Sequence, residues 1–459
     1  MKKFFIYSTL ILSLCLFSFK TDSSKVAIKR IKVKAPFGTT KINMPDFSKC
    51  PNFIISDFGA LKGDKIKTSQ AIAKAIDEAN KQGGGNVIIP EGEWLTGKVH
   101  LKSNVNLHLN KGALLLFSED PNDYLPAVHT TWEGMECYNY SPLIYAYQCK
   151  NVALTGEGEI KAKMDIWKKW FSRPKEHMEN LKNLYMMASY YKPVEERQMV
   201  NGTANFRPQF VQFNRCENIL MENITITNSP FWTVHPYLSK DIVIRGIKVF
   251  AHGHNNDGID PEMSQNVLIE NCILDQGDDA ISIKSGRNQD AWRLKTPSKN
   301  IIIRNLNVKN GHQLIALGSE LSGGIENVFV EKCNVVDGAK LNHLLFIKTN
   351  ERRGGYVNNI YIQNVTSGKI DLGILGIETD VLYQWRDLVP TIERKLTPIA
   401  NVYLKNVKAK DVKFISRILG EKELPIRNIS LKNVTAEKVE GKEKFIQENV
   451  LNFTVSPKE

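Results

Sequence analysis

The chain has 459 residues, of which 42% are hydrophobic, so it can bury a large core and is neither a disordered nor a fibrous protein. Its 61 basic and 49 acidic residues give a formal charge of +12 and are spread along the sequence without a basic cluster. We therefore expect no nucleic-acid partner; the basic balance fits a solvated surface or a cleft that attracts an acidic polymer.

Residues 1–24 have the pattern of a secretory signal peptide, because two lysines precede an apolar run from Phe4 to Phe19 and a polar stretch follows. No later segment has the roughly 20 apolar residues that a membrane-spanning helix needs. Cys15 follows Leu14, where a lipid-attachment site usually has a small residue, so we do not expect a lipid anchor. The sequence predicts an exported protein, periplasmic or extracellular, without a membrane span.

Six cysteines follow this leader, and none of them forms a CxxC pair, which argues against a structural metal site. Several recur at a fixed distance from a repeated asparagine: Cys149 and Cys216 precede one by two residues, and Cys272 and Cys333 follow one by six. This recurrence favours small buried side chains over disulfides, although an exported protein can oxidise its thiols.

One helix is predicted near the N-terminus, after an extended lead-in over residues 25–50 and a short strand that begins at Phe53. From Thr68, a plausible N-cap, to Gln82 the apolar residues recur at helical spacing, and three glycines then end the pattern. A single amphipathic helix ahead of a long β-rich region is typical of a cap that covers the open end of a strand stack.

A repeated phrase then runs through the rest of the chain: an asparagine, alternating apolar residues, often Asn or Gly, and more alternation. Its later copies begin at positions 218, 241, 266, 300, 327, 359, 401 and 428, so the period varies from 23 to 42 residues. Short period-2 strands at such intervals indicate the coils of a parallel β-solenoid; a propeller or an α-solenoid would show a different period. Asparagines at one register can form a side-chain ladder along the stack.

The predicted fold class is therefore all-β: one parallel β-helix with an N-terminal capping helix, in a single catalytic domain over residues 51–459. Extra length falls near residues 119–142 and 161–206, and we expect these insertions to wall one side of the solenoid. Each coil buries its apolar face only by stacking on the next coil.

Aspartates cluster between Asn255 and Gly286, where Asp257 is followed 21 residues later by the pair Asp278 and Asp279. Asp278 follows its repeat asparagine by twelve residues, and so does His312 one coil later, so both should occupy one position in successive coils. Lys348 lies further along the stack, and the set predicts a groove across about four coils. Isolated aspartates such as Asp260 and Asp275 are expected to be ordinary turn residues.

Clustered carboxylates suit glycoside hydrolysis, in which one carboxyl donates a proton to the leaving oxygen and another activates water. Two carboxylates a few ångströms apart repel by about 4 kcal/mol at an effective dielectric near 20, so one pKa should rise. Repulsion between Asp278 and Asp279 supplies the required difference between the two pKa values, although the pair titrates as a unit. A raised carboxyl pKa predicts activity on the acid side of neutral pH.

Four ordered motifs, NNDGID, QGDDAISIKSG, NGHQLIALGSE and FIKT, resemble the signatures of the polygalacturonase family of pectin hydrolases (glycoside hydrolase family 28). RPQFVQF and NSPFWTVHP resemble segments of its bacterial members. The resemblance covers about residues 52–440. It implies a right-handed, single-stranded parallel β-helix that cleaves galacturonosyl bonds with inversion and needs no metal. We expect no other cofactor, a pectic oligo- or polysaccharide as substrate, and a monomer.

Carried over by position, the resemblance implies that Asp278 is the general acid, that Asp257 and Asp279 position and deprotonate water, and that His312 tunes the acid or contacts substrate. Lys348 would pair with a sugar carboxylate. Asn255, Lys284 and Arg353 are the further residues expected to bind substrate. Inversion implies carboxylates separated by roughly 6.5–9.5 Å across the scissile bond.

The chain departs from the family pattern at two positions: Gln313 follows His312 where glycine is usual, and Phe346 replaces an arginine two residues before Lys348. Phenylalanine cannot bind a carboxylate as arginine does. Arg352, Arg353 or Lys284 are candidates for that role, or the subsite holds a neutral sugar. We therefore expect an exo-acting enzyme or one directed at rhamnogalacturonan-type fragments.

Two other functions remain open at this stage. A pectate-lyase-like β-helix would use calcium and a basic residue such as Lys284 or Lys348 to abstract a proton. A non-catalytic carbohydrate-binding solenoid would have no turnover to lose when Asp278 is replaced.

Overall fold

The computed structural model describes residues 26–200 and 204–457. The predicted signal peptide and Cys15 lie outside the described residues. No helix in this described part of the chain is both long and apolar enough to cross a bilayer. Five cysteines here are buried free thiols: Cys137, Cys149, Cys216, Cys272 and Cys333.

The coils wind into a parallel β-helix whose largest surface is one sheet of 21 strands, called the long sheet. Its strands are Asn52–Ile54, Gly85–Ile89, Gly92–Thr96, Val105–Leu109, Ala113–Phe117, Lys150–Gly156, Glu159–Ala162, Glu217–Glu222, Thr225–Thr227, Lys240–Arg245, Lys248–Ala251, Gln265–Glu270, Ile273–Gln276, Ser298–Arg304, Asn307–Asn310, Ile325–Glu331, Asn334–Val335, Val357–Ser367, Ile399–Val412, Ile426–Val439 and Val450–Ser456. This architecture confirms the predicted β-helix.

A second face, called the floor, is built from shorter parallel strands. Four strands belong to its first part: Val99–Leu101, Ile144–Tyr147, Val211–Asn214 and Val234–Tyr237. Six belong to its second part: Ile281–Ile283, Gln313–Gly318, His343–Lys348, Gly373–Glu378, Phe414–Leu419 and Phe445–Glu448. Bridges from Val234 to Ile259 and from Ile259 to Ile281 join the two parts into one column.

The core is a stack of aliphatic side chains that point inward at the same register of successive coils. One column pairs Ile242 with Val267, Val267 with Ile301, and Ile301 with Val328, and all four are fully buried. Because β-branched side chains pack well on a pleated surface, the alternating pattern of each repeat places them inside. Stacking thereby buries what a single coil would leave exposed.

The predicted ladder of asparagines is present along the long sheet. Asn300 donates to Asn266 and accepts from Asn327, each at 3.1 Å. These residues adopt positive φ angles of 56–58°, a left-handed conformation that asparagine tolerates better than most residues. The side-chain type is thus required both by the bend of the backbone and by the hydrogen bond to the next coil.

The capping helix is Lys65–Lys81, and its buried face is the predicted one: Ala71, Ile72, Ala75, Ile76 and Ala79. The prediction that Thr68 is the N-cap is wrong. The carboxylate of Asp64 accepts from the N–H of Lys67 and caps the helix one turn earlier, while Thr68 is buried and its hydroxyl donates to the carbonyl of Leu61. Aspartate is among the best N-caps, so it takes precedence.

Residues 25–50, expected as an extended lead-in, contain a hairpin of Ala27–Ala35 with Gly38–Asp46. Its apolar residues, including Ile42 and Met44, cluster with Leu220 and Val243 on the outside of the long sheet. The hairpin therefore covers apolar surface that faces away from the core.

The two predicted insertions carry structure of their own. The first holds the hairpin Val128–Trp132 with Met135–Asn139 and a 3-10 turn at Pro121–Tyr124. The second holds the helices Asp165–Lys169 and Lys175–Ser189 and a 3-10 turn at Val194–Glu196. The remaining short helices are Ile55–Phe58, Asn288–Leu294 and Trp385–Leu388.

Both insertions are fastened to the solenoid by aromatic stacking and a buried ion pair. The indole of Trp132 stacks between Phe206 and Phe231, with ring centroids 4.4 Å apart on each side. Arg197 and Asp290, both buried, pair at 2.6 Å. Stacked aromatic rings and a desolvated, hydrogen-bonded ion pair hold the insertions as fixed walls beside the floor.

Candidate active site

The floor strands place the predicted acids and His312 at one edge of the column. Asp257 and Asp279 lie two residues before Ile259 and Ile281, which pair with each other. His312 follows one coil later, and its backbone N–H donates to the carbonyl of Asp278 at 2.9 Å. The predicted equivalence of Asp278 and His312 in successive coils is therefore confirmed.

Side chains from neighbouring coils join these residues in pairs. His312 Nδ1 lies 3.2 Å from Asp278 Oδ1. Lys348 starts from the far end of a floor strand and reaches back to place its Nζ 3.0 Å from Asp279 Oδ2. Lys348 thus contributes to the predicted groove, although its backbone pairs with Gly318 and does not share the register of the acids.

Lys284 forms the hub of a second, deeper cluster. Its Nζ lies 3.5 Å from carboxylate oxygens of Asp257 and Glu320 and 3.8 Å from one of Asp260. It also lies 4.5 Å from the centroid of the Trp232 ring. Every member is buried, so these charges interact in an environment of low dielectric constant.

The environments of the three aspartates drive their pKa values apart. Burial, and then the charge of Asp278, raise the pKa of Asp257 to about 7. Burial also raises the pKa of Asp279, against the opposing charge of Lys348. Burial acts in the same sense on Asp278, but the hydrogen bond and charge of His312 outweigh it and leave the pKa of Asp278 lowered. The cleft therefore contains two carboxyls whose protonated form is favoured, Asp257 and Asp279, and one whose ionised form is favoured, Asp278.

His312 carries the complementary shift, because its hydrogen bond to Asp278 raises the pKa of the imidazole. The two groups together hold one proton at pH values below this raised pKa, with the imidazolium favoured as its carrier. This distribution differs from the expectation that Asp278 itself carries the proton before substrate binds.

These groups line a cleft of about 640 Å³ that opens to solvent. Its walls come from both insertions, through Glu133 and Arg173, and from a later loop that contributes Tyr383 and Trp385. Trp385 also packs over the guanidinium of Arg287, 4.2 Å from its ring centroid. A concave, largely preformed cleft with a few convergent polar groups is the usual form of a binding site.

Phe346, which the sequence places where an arginine is expected, lies on the floor of this cleft. Its ring stacks on that of His343 with centroids 4.6 Å apart and an angle of 9° between planes. The next coil has Gly376 opposite Phe346, and a Cβ there would come within 2.9 Å of Phe346 and 2.7 Å of His343. The aromatic pair is therefore accommodated by a glycine, and this part of the floor is apolar.

Two predicted substrate-binding residues have different outcomes. Asn255 lines the cleft, with its Oδ1 held by a hydrogen bond from Arg207 at 3.0 Å. Arg353 does not reach the cleft: it is buried, and its guanidinium donates to the carbonyl of Ser319 and to Asn288. The expectation that Arg353 contacts substrate is corrected, because its donors are turned inward and used there. Arg352 is likewise buried and bonded to Thr391 and to the Trp385 carbonyl.

The sequence interpretation missed three residues of this site. Asp260, expected to be a turn residue, is buried next to Lys284, and burial raises its pKa well above the ordinary value. Glu320 bonds Arg287 at 2.6 Å and faces Lys284. Arg207 donates to the carbonyl of His254 and fixes the loop before Asp257. All three lie in motifs that carry the family resemblance, which was the available signal.

One further property of the acids is their spacing. Asp278, Asp279 and His312 offer one ligand atom each within 4.8 Å of one another. This is short of the 6.5–9.5 Å expected between the two carboxylates of an inverting enzyme. The same spacing suits a metal ion, but the ammonium of Lys348 already neutralises Asp279.

Comparison with known proteins identifies relatives of this chain. The model of the family described as glycosyl hydrolases family 28 matches residues 195–456. A probable polygalacturonase from Vitis vinifera is 31% identical over 68% of this chain and 59% of its own length. An exo-poly-alpha-D-galacturonosidase from Dickeya chrysanthemi is 27% identical over 61% of this chain and 50% of its own length. The chain thus spans about half the length of these curated relatives.

Solved structures share the fold. A hyperthermoactive exopolygalacturonase from Thermotoga maritima is 36% identical, covers 91% of this chain and 94% of its own, and superposes with a TM-score of 0.82. The polygalacturonase from Erwinia carotovora, at 21% identity and a TM-score of 0.64 over 88% of this chain and 96% of its own, shares the fold. The architecture is accordingly a right-handed parallel β-helix.

Proposed function

Because this chain belongs to glycosyl hydrolases family 28, we propose that it hydrolyses galacturonosyl linkages in pectic polysaccharide. The observation that carries the proposal is the pairing of Asp278 with His312 and of Asp279 with Lys348 in one open cleft. These pairs place a proton-bearing group and a carboxylate within reach of a single glycosidic bond.

The residues divide the reaction between them. Asp278 donates the proton to the leaving oxygen and draws it from the pair with His312. Asp279, whose ionised form Lys348 stabilises, deprotonates the attacking water, and Asp257 positions that water. We assign inversion because the acid serves the leaving oxygen while the base activates a water on the opposite face of the sugar. Proton magnetic resonance of the first product formed should therefore show the inverted anomer.

We assign an exo mode of cleavage, one of the two alternatives that the sequence predicts, because the inserted segments contribute Glu133 and Arg173 to the cleft wall. An exo enzyme releases short products from the start and lowers the viscosity of polygalacturonate slowly. The decisive experiment is product analysis on a panel of galacturonan and rhamnogalacturonan oligosaccharides. Rapid loss of viscosity with random fragments would contradict the exo assignment, and no hydrolysis of any member would contradict the function.

A lyase is the alternative that this experiment also distinguishes. A calcium-dependent lyase would yield an unsaturated, ultraviolet-absorbing product, and a chelator would abolish it. A hydrolase yields a new reducing end without that absorbance. We expect a metal chelator to leave the rate unchanged, since the cation next to Asp279 is Lys348.

The remaining assignments extend the same proposal. We assign residues 1–24 as a leader for export to the periplasm or the medium, and residues 51–459 as one catalytic unit that acts as a monomer. Lys348, Asn255 and Lys284 face the cleft and are the proposed substrate contacts. Gel filtration of the mature protein with light scattering would test the oligomeric state.

A further inference from the structure

The cationic side chains that line the cleft differ in whether their charge is already neutralised. Lys284 faces three carboxylates, Lys348 pairs with Asp279 at 3.0 Å, and Arg287 pairs with Glu320 at 2.6 Å and with Glu133. Arg173 has no carboxylate within salt-bridge distance among residues 26–200 and 204–457. A carboxylate entering the cleft therefore meets one cation that does not have to release an acid first.

The polar partner of Arg173 is a neutral ring. Its Nη2 lies 2.6 Å from Nε2 of His254. A guanidinium can only donate, so the imidazole nitrogen accepts, and burial together with the charges of Arg173 and Arg207 lowers the pKa of His254 to about 4. His254 thus orients the guanidinium without cancelling its charge, and leaves donors on the remaining nitrogens.

The position of Arg173 is next to the first of the acids. It lies in the second insertion, between the helices Asp165–Lys169 and Lys175–Ser189. Its partner His254 directly precedes Asn255, and Asp257 follows in the same loop. The apolar Phe346 lies three coils further along the floor, about 14 Å away at the usual strand spacing. The two sides of the cleavage point therefore offer different surfaces to a sugar ring.

We propose that Arg173 binds the carboxylate of a uronosyl unit on the Asp257 side of the cleaved bond, and that this insertion residue sets the preference for acidic sugars. The inference rests on the proposed hydrolase function and deepens it. Two parallel N–H donors of a guanidinium match the two oxygens of a carboxylate. The aromatic floor at Phe346 then contacts a ring face and does not select for charge.

The test compares Arg173→Gln with Arg173→Lys on galacturonan oligosaccharides and on the same oligosaccharides with their carboxyl groups methyl-esterified. Loss of a charged hydrogen bond should raise KM by about 10- to 100-fold for the acidic substrate and leave kcat nearly unchanged. Lysine, which keeps the charge but not the paired donors, should give an intermediate KM. The esterified substrate should be affected much less.

Lys175→Gln is the matched control, because it also removes a positive charge. Lys175 lies two residues after Arg173, and its side chain is 84% exposed. It should leave KM unchanged for both substrates. Equal losses on acidic and esterified oligosaccharides, or a fall in kcat with KM unchanged, would overturn the proposal and indicate that Arg173 only supports the loop.

A binding measurement separates this inference from the function on which it rests. Calorimetric titration of the Asp278→Asn protein with galacturonan oligosaccharides needs no turnover. If the wild-type chain hydrolyses no pectic substrate, the proposed function fails. Binding that weakens on Arg173→Gln by the same 10- to 100-fold would still support the role of Arg173, and unchanged binding would refute it.

Discussion

The long sheet and the floor are made by the same coils, but their polar side chains are arranged differently. On the long sheet, like residues meet at one register, as where Asn300 bonds both Asn266 and Asn327. On the floor, unlike residues meet across coils, as where Lys348 reaches Asp279. The first arrangement satisfies neutral amides in a repeating way, while the second concentrates charge at one place.

This difference separates stability from function within each coil. A ladder amide uses one N–H and its oxygen on the amides of the neighbouring coils, so it serves the stack. The carboxyls of the floor are buried with shifted pKa values, which costs stability and is typical of functional sites. Substitutions on the two faces should therefore have opposite signatures in activity and in thermal unfolding.

The largest effect that this comparison predicts is on turnover. Asp278→Asn removes the proton donor but keeps the size of the side chain. We expect kcat on galacturonan oligosaccharides to fall about 10³-fold, the scale of general acid catalysis, with little change in the unfolding temperature. Steady-state rates and circular dichroism melts of the same preparation would check both halves. Residual activity above a tenth of the wild type would remove Asp278 from the proposed role.

The second prediction concerns stability on the floor. The pKa of Asp257 is raised from 3.8 to about 7, so its neutral form is favoured by folding. The stability contributed by this group is complete below the unfolded pKa and is lost as the pH rises to about 7, by up to roughly 4 kcal/mol. Asp257→Asn cannot ionise and should therefore melt at a higher temperature than the wild type at pH 8, with a smaller difference at pH 4.

The control for this prediction is Asp278→Asn, because the pKa of Asp278 is lowered in the folded chain. Its ionised form is stabilised by His312, so the asparagine variant should gain no stability as the pH rises. If Asp257→Asn changes the melting temperature by the same amount at pH 8 and at pH 4, the pKa of Asp257 is not raised by folding.

The parts of this comparison that could be predicted from the sequence are those set by repetition. The asparagine register, the alternating core and the helical spacing of the cap all recur, so position along the chain determines position in space. The equivalence of Asp278 and His312 follows from the same arithmetic. The start of the capping helix is not part of the repeat, and there the prediction failed. Asp64 caps the helix, and the predicted N-cap Thr68 is buried.

The contacts that could not be predicted come from side-chain reach and from loops. The backbone of Lys348 pairs with Gly318, away from the register of the acids, but its ammonium lies 3.0 Å from Asp279. Arg353 and Arg173 look alike in sequence, but the fold turns Arg353 inward onto Ser319 and turns Arg173 into the cleft. The sequence predicted Asp260 as a turn residue. It is buried because its neighbour Lys284 comes from another coil, and sequence position does not reveal that contact.

The third prediction moves to the long sheet. Asn300→Ala removes two ladder hydrogen bonds and places a Cβ-bearing residue without amide at a φ of 56°. We expect a loss of about 2–3 kcal/mol, seen as a lower unfolding temperature, with turnover unchanged below the transition. Asn300→Gly is the matched variant, since glycine adopts this φ freely and therefore lacks the backbone strain of alanine. A fall in kcat with unchanged melting would break the division between the two faces.

The smallest effect expected is a shift of the pH profile when His312 is replaced by asparagine. His312 has a raised pKa because it bonds Asp278, and the pair holds the proton that we assign to the leaving oxygen. Without the imidazole, the proton rests on the carboxyl alone and is lost at a lower pH. The falling, alkaline limb of kcat/KM should therefore move toward acid. His252→Asn is the matched control, because His252 forms a similar pair with Asp275 at 2.7 Å outside the cleft lining. It should leave both limbs in place. If His312→Asn moves only the acidic limb, the pair supplies a base instead of an acid, and the roles of Asp278 and Asp279 in the proposed reaction must be exchanged.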